Sequence, residues 1–227
     1  MLPAVRVLRP GLAGICYAAS AVRAHGGALA ERVAVFIDYQ NVYMGAREVF
    51  HQGRAPHWSG QIDPRALGSL LVEQSRRDRT LSAVRIYRGM PDAIKDPIGF
   101  RASQRQARFW SRHPKVRVIT RPLRYPKTWP DGKAEEKGID VSLAVDFVVM
   151  AIQGEYDVGI LMSTDTDLRP ALEAVLRLRA AHIEVAAWSS PQGNWRRLSI
   201  KSRRLWCHWL DRDNYGRVQD RRDYSRP

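Results

Sequence analysis

Five short runs rich in branched and aromatic residues, at 33–37, 81–88, 116–120, 158–162 and 183–187, alternate with segments of helical spacing. That alternation is the tightest constraint on the fold, because strand-helix-strand repeats close into a mainly parallel sheet with helices on both faces and right-handed crossovers. The helical segments are 42–50, a second opened by Asp63-Pro64 and carried by Leu67, Leu70 and Leu71, then 100–112, 138–154 and 168–179. Leu205, Trp206, Trp209 and Leu210 predict a final helix. The expected fold class is α/β, a three-layer α/β/α sandwich. The stretches HQGRAPHWSGQ and RPLRYPKTWPDGK are loops, broken by Pro and Gly.

The first run is VAVFI, and it ends abruptly in Asp38, with Asn41 three residues on. A strand buried on both faces reads as continuous apolar sequence and has no use for a charge at its end. Open α/β sheets bind ligands at the carboxyl ends of their strands, so Asp38 is a candidate for site chemistry. An Asp here is equally suited to capping the following helix.

At 227 residues the chain is long enough for one α/β domain with extensions. A formal net charge of +14 favours a polyanionic partner, nucleic acid or an anionic membrane surface. No apolar stretch has the roughly 20 residues a membrane-spanning helix needs. The first thirty residues hold no Asp or Glu. Arg6 and Arg9 before the apolar stretch 11–22 resemble a signal sequence, but Arg23 and His25 stand where a cleavage site is small and neutral. With only Cys16 and Cys207 there is no disulfide framework, and a cytoplasmic protein is favoured over an exported one. Residues 1–30 read as a flexible basic leader, 31–211 as the folded domain, and 212–227, polar and charged, as a disordered basic tail.

Acidic residues fall where such a sheet holds ligands. Asp38 ends the first strand, Asp165 and Asp167 follow the fourth in the segment STDTD, and Asp140 lies in the first turn of the 138–154 helix. Carboxylates converging on one edge repel unless cations lie between them, and hard oxygen donors suit Mg²⁺ or Mn²⁺. Such ions activate water and stabilise the leaving oxygen in phosphodiester cleavage. Each acid also has an ordinary structural use: Asp165 or Asp167 as a helix cap, Asp140 as a dipole partner. Asp146, six residues past Asp140, points elsewhere around the helix and reads as an ion-pair or supporting residue.

FIDYQNVY, then KGIDVSLAVD about a hundred residues later, then ILMSTDTDL, together resemble the NYN domain family, a branch of the PIN-like (Rossmannoid) nuclease fold. The resemblance spans roughly residues 32–187. Asp38 and Asn41 match the family's first motif, and Lys137, Gly138 and Asp140 its second. The third, usually Ser-Gly-Asp-Ser-Asp-Phe, appears as Ser163 to Leu168, with Thr164 in place of glycine and Leu168 in place of the aromatic residue. The resemblance implies a metal-dependent ribonuclease, or a relative that keeps the fold and binds RNA.

Residues 101–130 carry nine Lys or Arg and no carboxylate. Arg101, Arg105, Arg108 and Arg112 share one helical face, and the following loop adds Arg121, Arg124 and Lys127 interleaved with Tyr125 and Trp129. Cations for phosphates and rings for bases suit single-stranded RNA. The reading is therefore an endoribonuclease with Asp38, Asp140, Asp165 and Asp167 as ligands for Mg²⁺ or Mn²⁺, Asn41 positioning one of them and Lys137 on a phosphate, acting as a monomer or homodimer on RNA that is single-stranded or structured. The rival is a noncatalytic RNA-binding adaptor on the same fold. A nucleotide-binding or phosphatase-type enzyme is disfavoured because no glycine-rich loop follows the first strand.

Overall fold

The computed structural model describes residues 29–51, 53, 55–190, 196–201 and 203–226. Nearly all of the expected leader therefore lies outside the described residues.

Six strands form one sheet: β1 (Glu31–Asp38), β2 (Arg79–Met90), β3 (Val116–Pro122), β4 (Val158–Met162), β5 (His182–Trp188) and β6 (Cys207–Leu210). Their order is β3-β2-β1-β4-β5-β6, and every neighbouring pair is parallel. The helices are α1 (Tyr39–Phe50), α2 (Pro64–Glu73), α3 (Pro97–Trp110), α4 (Ile139–Ile152), α5 (Arg169–Leu178) and α6 (Arg212–Val218).

The period-two geometry of a strand divides the core. Val33, Val35 and Ile37 of β1 pack into one apolar cluster with α1, α2, Trp110 of α3, and α6. Ala34 and Phe36 pack into the other with α4 and α5. These are the two faces of the expected α/β/α sandwich, and continuous burial from Val33 to Ile37 explains why the run shows no alternation. The sheet grows outward from β1 through β2 and β3 on one side and from β4 through β5 and β6 on the other. The chain order thus reverses between β1 and β4, and the crevice outside their carboxyl ends is where such sheets accept ligands.

Two expectations are corrected. The segment holding Trp206 and Trp209 is no helix: Cys207 to Leu210 form β6, paired with Val185 to Trp188. Its alternating neighbours explain the error, since Leu205 and Cys207 are buried while Trp206 is 67 % exposed. Nor is the segment after Asp211 disordered. Asp211 accepts from the Asn214 backbone N–H, Asn214 returns the bond to the Asp211 backbone, and α6 follows from this capping box. Tyr215, Val218, Asp220 and Tyr224 are all buried. The Tyr215 ring stacks on Phe50 with centroids 4.9 Å apart, and its hydroxyl accepts from Gly60 N at 2.8 Å. Asp220 accepts from the Tyr224 hydroxyl at 2.6 Å and from Trp110 Nε1 at 3.4 Å. A few buried anchors spaced among charged residues dock this segment where average composition reads as polar. Replacing Tyr215 by Phe removes the Gly60 partner and is expected to destabilise the fold by about 1–3 kcal/mol in a denaturant titration; an unchanged midpoint would mean the tail is not docked this way.

The opposite end of the sheet is fastened by charge. Arg79, at the start of β2, donates through Nη1 and Nη2 to Glu184 of β5 at 3.0 and 2.9 Å, and through Nε to Glu31 of β1 at 3.0 Å. His208 of β6 lies 2.7 Å from Glu184 and His182 lies 3.2 Å from it. The side chains of Arg79, Glu184 and His208 are at most 5 % exposed. No helix among the described residues is long and apolar enough to cross a membrane.

Candidate active site

Asp38 does both things its position allows. One carboxylate oxygen accepts from the backbone N–H of Asn41 at 3.3 Å and caps α1; the other accepts from Ser163 Oγ at 2.9 Å. Ser163 follows β4 and its hydroxyl also accepts from the Asp165 backbone N–H at 3.0 Å. Asn41 Oδ1 accepts from both the backbone N–H and the hydroxyl of Thr164, at 3.0 and 3.2 Å. The segment after β4 is therefore latched to the end of β1 across the crevice. Thr164 makes its latch with an ordinary backbone conformation, since Arg179 is the one non-glycine residue at positive φ among those described. That is why the usual glycine is dispensable here. Leu168, where the family carries an aromatic ring, is buried under α5 and serves the core.

Asp165 caps the short 3-10 turn Thr166–Leu168 by accepting from the Asp167 N–H at 2.9 Å. Asp167 itself is exposed. Asp140 enters from α4, whose N-cap is Gly138 at φ 73°, a left-handed conformation that other residues adopt only at a cost. Asp146 accepts from the buried Tyr87 hydroxyl at 2.8 Å, a structural bond rather than an ion pair.

Burial pushes the Asp38 carboxyl above the usual carboxylate range; Ser163 and Asn41 hold it down, while Asp165 and Asp140 push it further up. Glu136 belongs to the same group and was not anticipated. Burial raises its pKa too, Asp38 and Asp140 add to the rise, and the Gly89 N–H and Arg88 oppose it. Glu136 Oε1 accepts from Gly89 N at the end of β2, and the Gln40 amide nitrogen lies 3.1 and 3.2 Å from its two oxygens. The only sequence sign was a pair of glutamates just before Lys137-Gly138. Among the described residues no three His, Cys, Asp or Glu side chains are gathered tightly enough to hold an ion unaided. The donor set nonetheless suits Mg²⁺ or Mn²⁺: all oxygen, mutually repelling, and open to the waters and substrate oxygens that such ions retain.

The NYN domain family model matches residues 32–198, from β1 past β5. The chain belongs to the NYN domain family. This family comprises RNase-like nucleases, so a nuclease-type function follows from membership. No curated protein matches the chain. A crystal structure of a protein of unknown function from Vibrio parahaemolyticus superimposes with a TM-score of 0.53 at 18 % identity, over 83 % of this chain and 98 % of that one, a likeness of fold.

In this NYN domain the basic residues divide by position. Arg121, at the end of β3, donates to Ser142 Oγ at 2.5 Å, which sets it beside the first turn of α4 and Asp140, with Lys137 adjacent in sequence. Arg124 and Lys127 are exposed in the loop beyond. Tyr125 and Trp129 pack edge to face with centroids 4.7 Å apart, and the Tyr125 hydroxyl accepts from Asp92 N at 2.9 Å. A helix that follows a parallel strand starts at the carboxyl edge and runs away from it. Arg101, near the start of α3, is therefore nearest the acids, and Arg108 and Arg112 are more distant. Arg105 donates through Nε and Nη2 to the Tyr224 carbonyl and helps hold the tail; Arg112 lies over the Phe109 ring.

Asn41 is the joint of this arrangement. Asn41→Ala leaves the Thr164 N–H and hydroxyl without their acceptor and is expected to cost about 1–3 kcal/mol of stability and to lower nuclease activity together with it. An Asn41→Ala protein that keeps both would show that the latch has no role.

Proposed function

We propose that the protein is a metal-dependent endoribonuclease that hydrolyses RNA phosphodiester bonds at the carboxyl ends of β1 and β4. The observation that carries this reading is the gathering of Asp38, Asp140, Asp165 and Glu136 at the reversal point of the sheet, with Asp38 and Glu136 pushed up in pKa by burial and by their acidic neighbours. A site built only to bind a polyanion gains nothing from carboxylates facing it. Asp38, Asp140 and Asp165 would hold Mg²⁺ or Mn²⁺, with Asp167 reaching it through water. The bound ion supplies a water acidified to near neutral pKa and an electrophile for the leaving oxygen. Asn41 and Ser163 fix the orientation of Asp38 and of the Asp165 segment. Arg121 and Lys137 meet the phosphodiester backbone, and Arg101 extends the track along α3.

Incubation of the full chain with end-labelled single-stranded and hairpin RNA, in Mg²⁺ or Mn²⁺ and in chelator, tests the reading. Metal-dependent internal cuts that vanish in EDTA and in Asp165→Asn are expected. Tight RNA binding without cleavage by the wild-type protein would establish the adaptor alternative, and cleavage undiminished in EDTA would end the metal mechanism.

A further inference from the structure

A second cavity, of about 640 Å³, opens beside the acid edge, between α1, α3 and the end of β2. Glu136 and Gln40 line its rim and join it to the site above. One wall is the pair Tyr39 and Tyr43, whose rings stack with centroids 6.1 Å apart. Arg88 lies with its guanidinium 4.8 Å over the Tyr39 ring and donates to Gln106 Oε1 and, at 3.0 Å, to Ser103 Oγ. No carboxylate forms an ion pair with it among the described residues.

Two polar atoms lining this cavity are buried without any partner: Arg88 Nε, a donor, and Gln61 Oε1, an acceptor on a side chain only 8 % exposed. Buried polar groups in native proteins are almost always paired, so an orphan donor and an orphan acceptor in one cavity point to a missing ligand that offers both complements. A phosphate offers acceptors alone, and would meet Gln61 Oε1 and the Glu136 carboxylate unfavourably. A flat heterocycle with an amine on one edge and acceptors on another satisfies both atoms while laying its face on the tyrosine wall.

Resting on the ribonuclease reading, we propose that this cavity is a base pocket: it takes one base extruded from the RNA strand next to the cleaved phosphodiester, and prefers bases with an exocyclic amine. Guanine, adenine and cytosine each present an amine to Gln61 beside a ring nitrogen or carbonyl for Arg88. Uracil has a single ring N–H between two carbonyls and fits less well. Stacking on aromatic side chains with edge readout is how single-stranded RNA is read in general; here it would make Gln61 and Arg88 the residues that set sequence preference.

The test is binding, measured in EDTA so that it is independent of cleavage. Fluorescence anisotropy of the full chain and of Gln61→Leu is compared on short oligo(A), oligo(C) and oligo(U), and on an oligo(A) carrying one abasic residue, alongside calorimetry with AMP, CMP, GMP and UMP. The wild-type protein should prefer the amine-bearing oligomers over oligo(U). Gln61→Leu should weaken them by roughly 3- to 10-fold, the worth of one hydrogen bond, leave oligo(U) unchanged, and melt no lower than wild type, because it deletes an unpaired buried acceptor. Equal affinity for all oligomers, or an unaltered preference in Gln61→Leu, would overturn the pocket. Mononucleotides that bind while the abasic oligomer binds as tightly as the intact one would overturn the RNA assignment in favour of a free nucleotide. A protein that shows the preference yet never cuts RNA in Mg²⁺ or Mn²⁺ would refute the nuclease reading and not the pocket.

Discussion

Asp38→Asn is expected to abolish RNA cleavage and, at neutral pH, to raise the melting temperature. The two effects have one cause. In the folded protein the Asp38 carboxyl is pushed up by burial and by Asp165 and Asp140, so holding it ionised at neutral pH opposes folding. An amide of the same shape keeps an oxygen for the Asn41 N–H and carries no charge. The stability gain follows the sign of the shift. It is absent below the unfolded carboxylate pKa of about 3.9, where Asp38 is protonated in both states, and it grows as pH rises through the raised folded value. Each kcal/mol gained raises the melting temperature by about 2–4 °C in a chain of this size. Loss of a group poised for transition-state charge should cost roughly 10²–10³-fold or more in rate. Melting curves and cleavage rates of both proteins at acid and neutral pH check the pair of effects. A variant that melts lower at neutral pH would place Asp38 among structural caps only, and a fully active one would remove it from the site.

Glu184→Gln should be the most damaging substitution to folding away from that site. Glu184 accepts both terminal nitrogens of Arg79, and His182 and His208 crowd the same carboxylate. Burial works to raise its pKa, but the bonds from His182, His208 and Arg79 outweigh it and hold the carboxyl far below the usual range. Removing the charge leaves the Arg79 guanidinium buried, with only Glu31 at its edge. Breaking a buried pair from one side costs about 3–5 kcal/mol, or roughly 6–20 °C in melting temperature at 2–4 °C per kcal/mol. The pH dependence runs opposite to that of Asp38. A depressed carboxylate contributes its stability above the unfolded pKa of about 4.3 and loses it as pH falls toward the folded value, so the penalty of Glu184→Gln should shrink in acid. A penalty that stays constant from neutral pH into acid would mean the ion pair is not what is lost.

The strand runs and the helix caps at Asp38 and Asp63 carried the layered fold into the sequence, because continuous burial and capping chemistry are local properties. So were the three acidic motifs, each at a strand end or helix start. What escaped was set by distance along the chain. Glu136 joins the site only because β2 ends beside α4, placing the Gly89 N–H within reach of its side chain. The Arg79–Glu184 pair links β2 and β5, which have β1 and β4 between them, and Glu184 sits inside a run that otherwise reads as plain apolar strand. The tail was misjudged because Tyr215, Val218 and Tyr224 are diluted among charged neighbours, and a segment's average polarity does not register a few deep anchors. The even spacing of Arg101, Arg105, Arg108 and Arg112 was real, yet it could not reveal that Arg105 is committed to the Tyr224 carbonyl.

Direct measurement of divalent-ion binding bears most closely on the site itself. Mn²⁺ titrated into the full chain and followed by electron paramagnetic resonance should show ions immobilised by the wild-type protein, with affinity reduced by about tenfold or more in Asp38→Asn and in Asp140→Asn, and with release as pH falls and the acids take up protons. Mn²⁺ that stays free with the wild-type protein even when a short RNA is present, or that binds both variants as tightly as the parent, would contradict the assignment of these carboxylates to a metal centre.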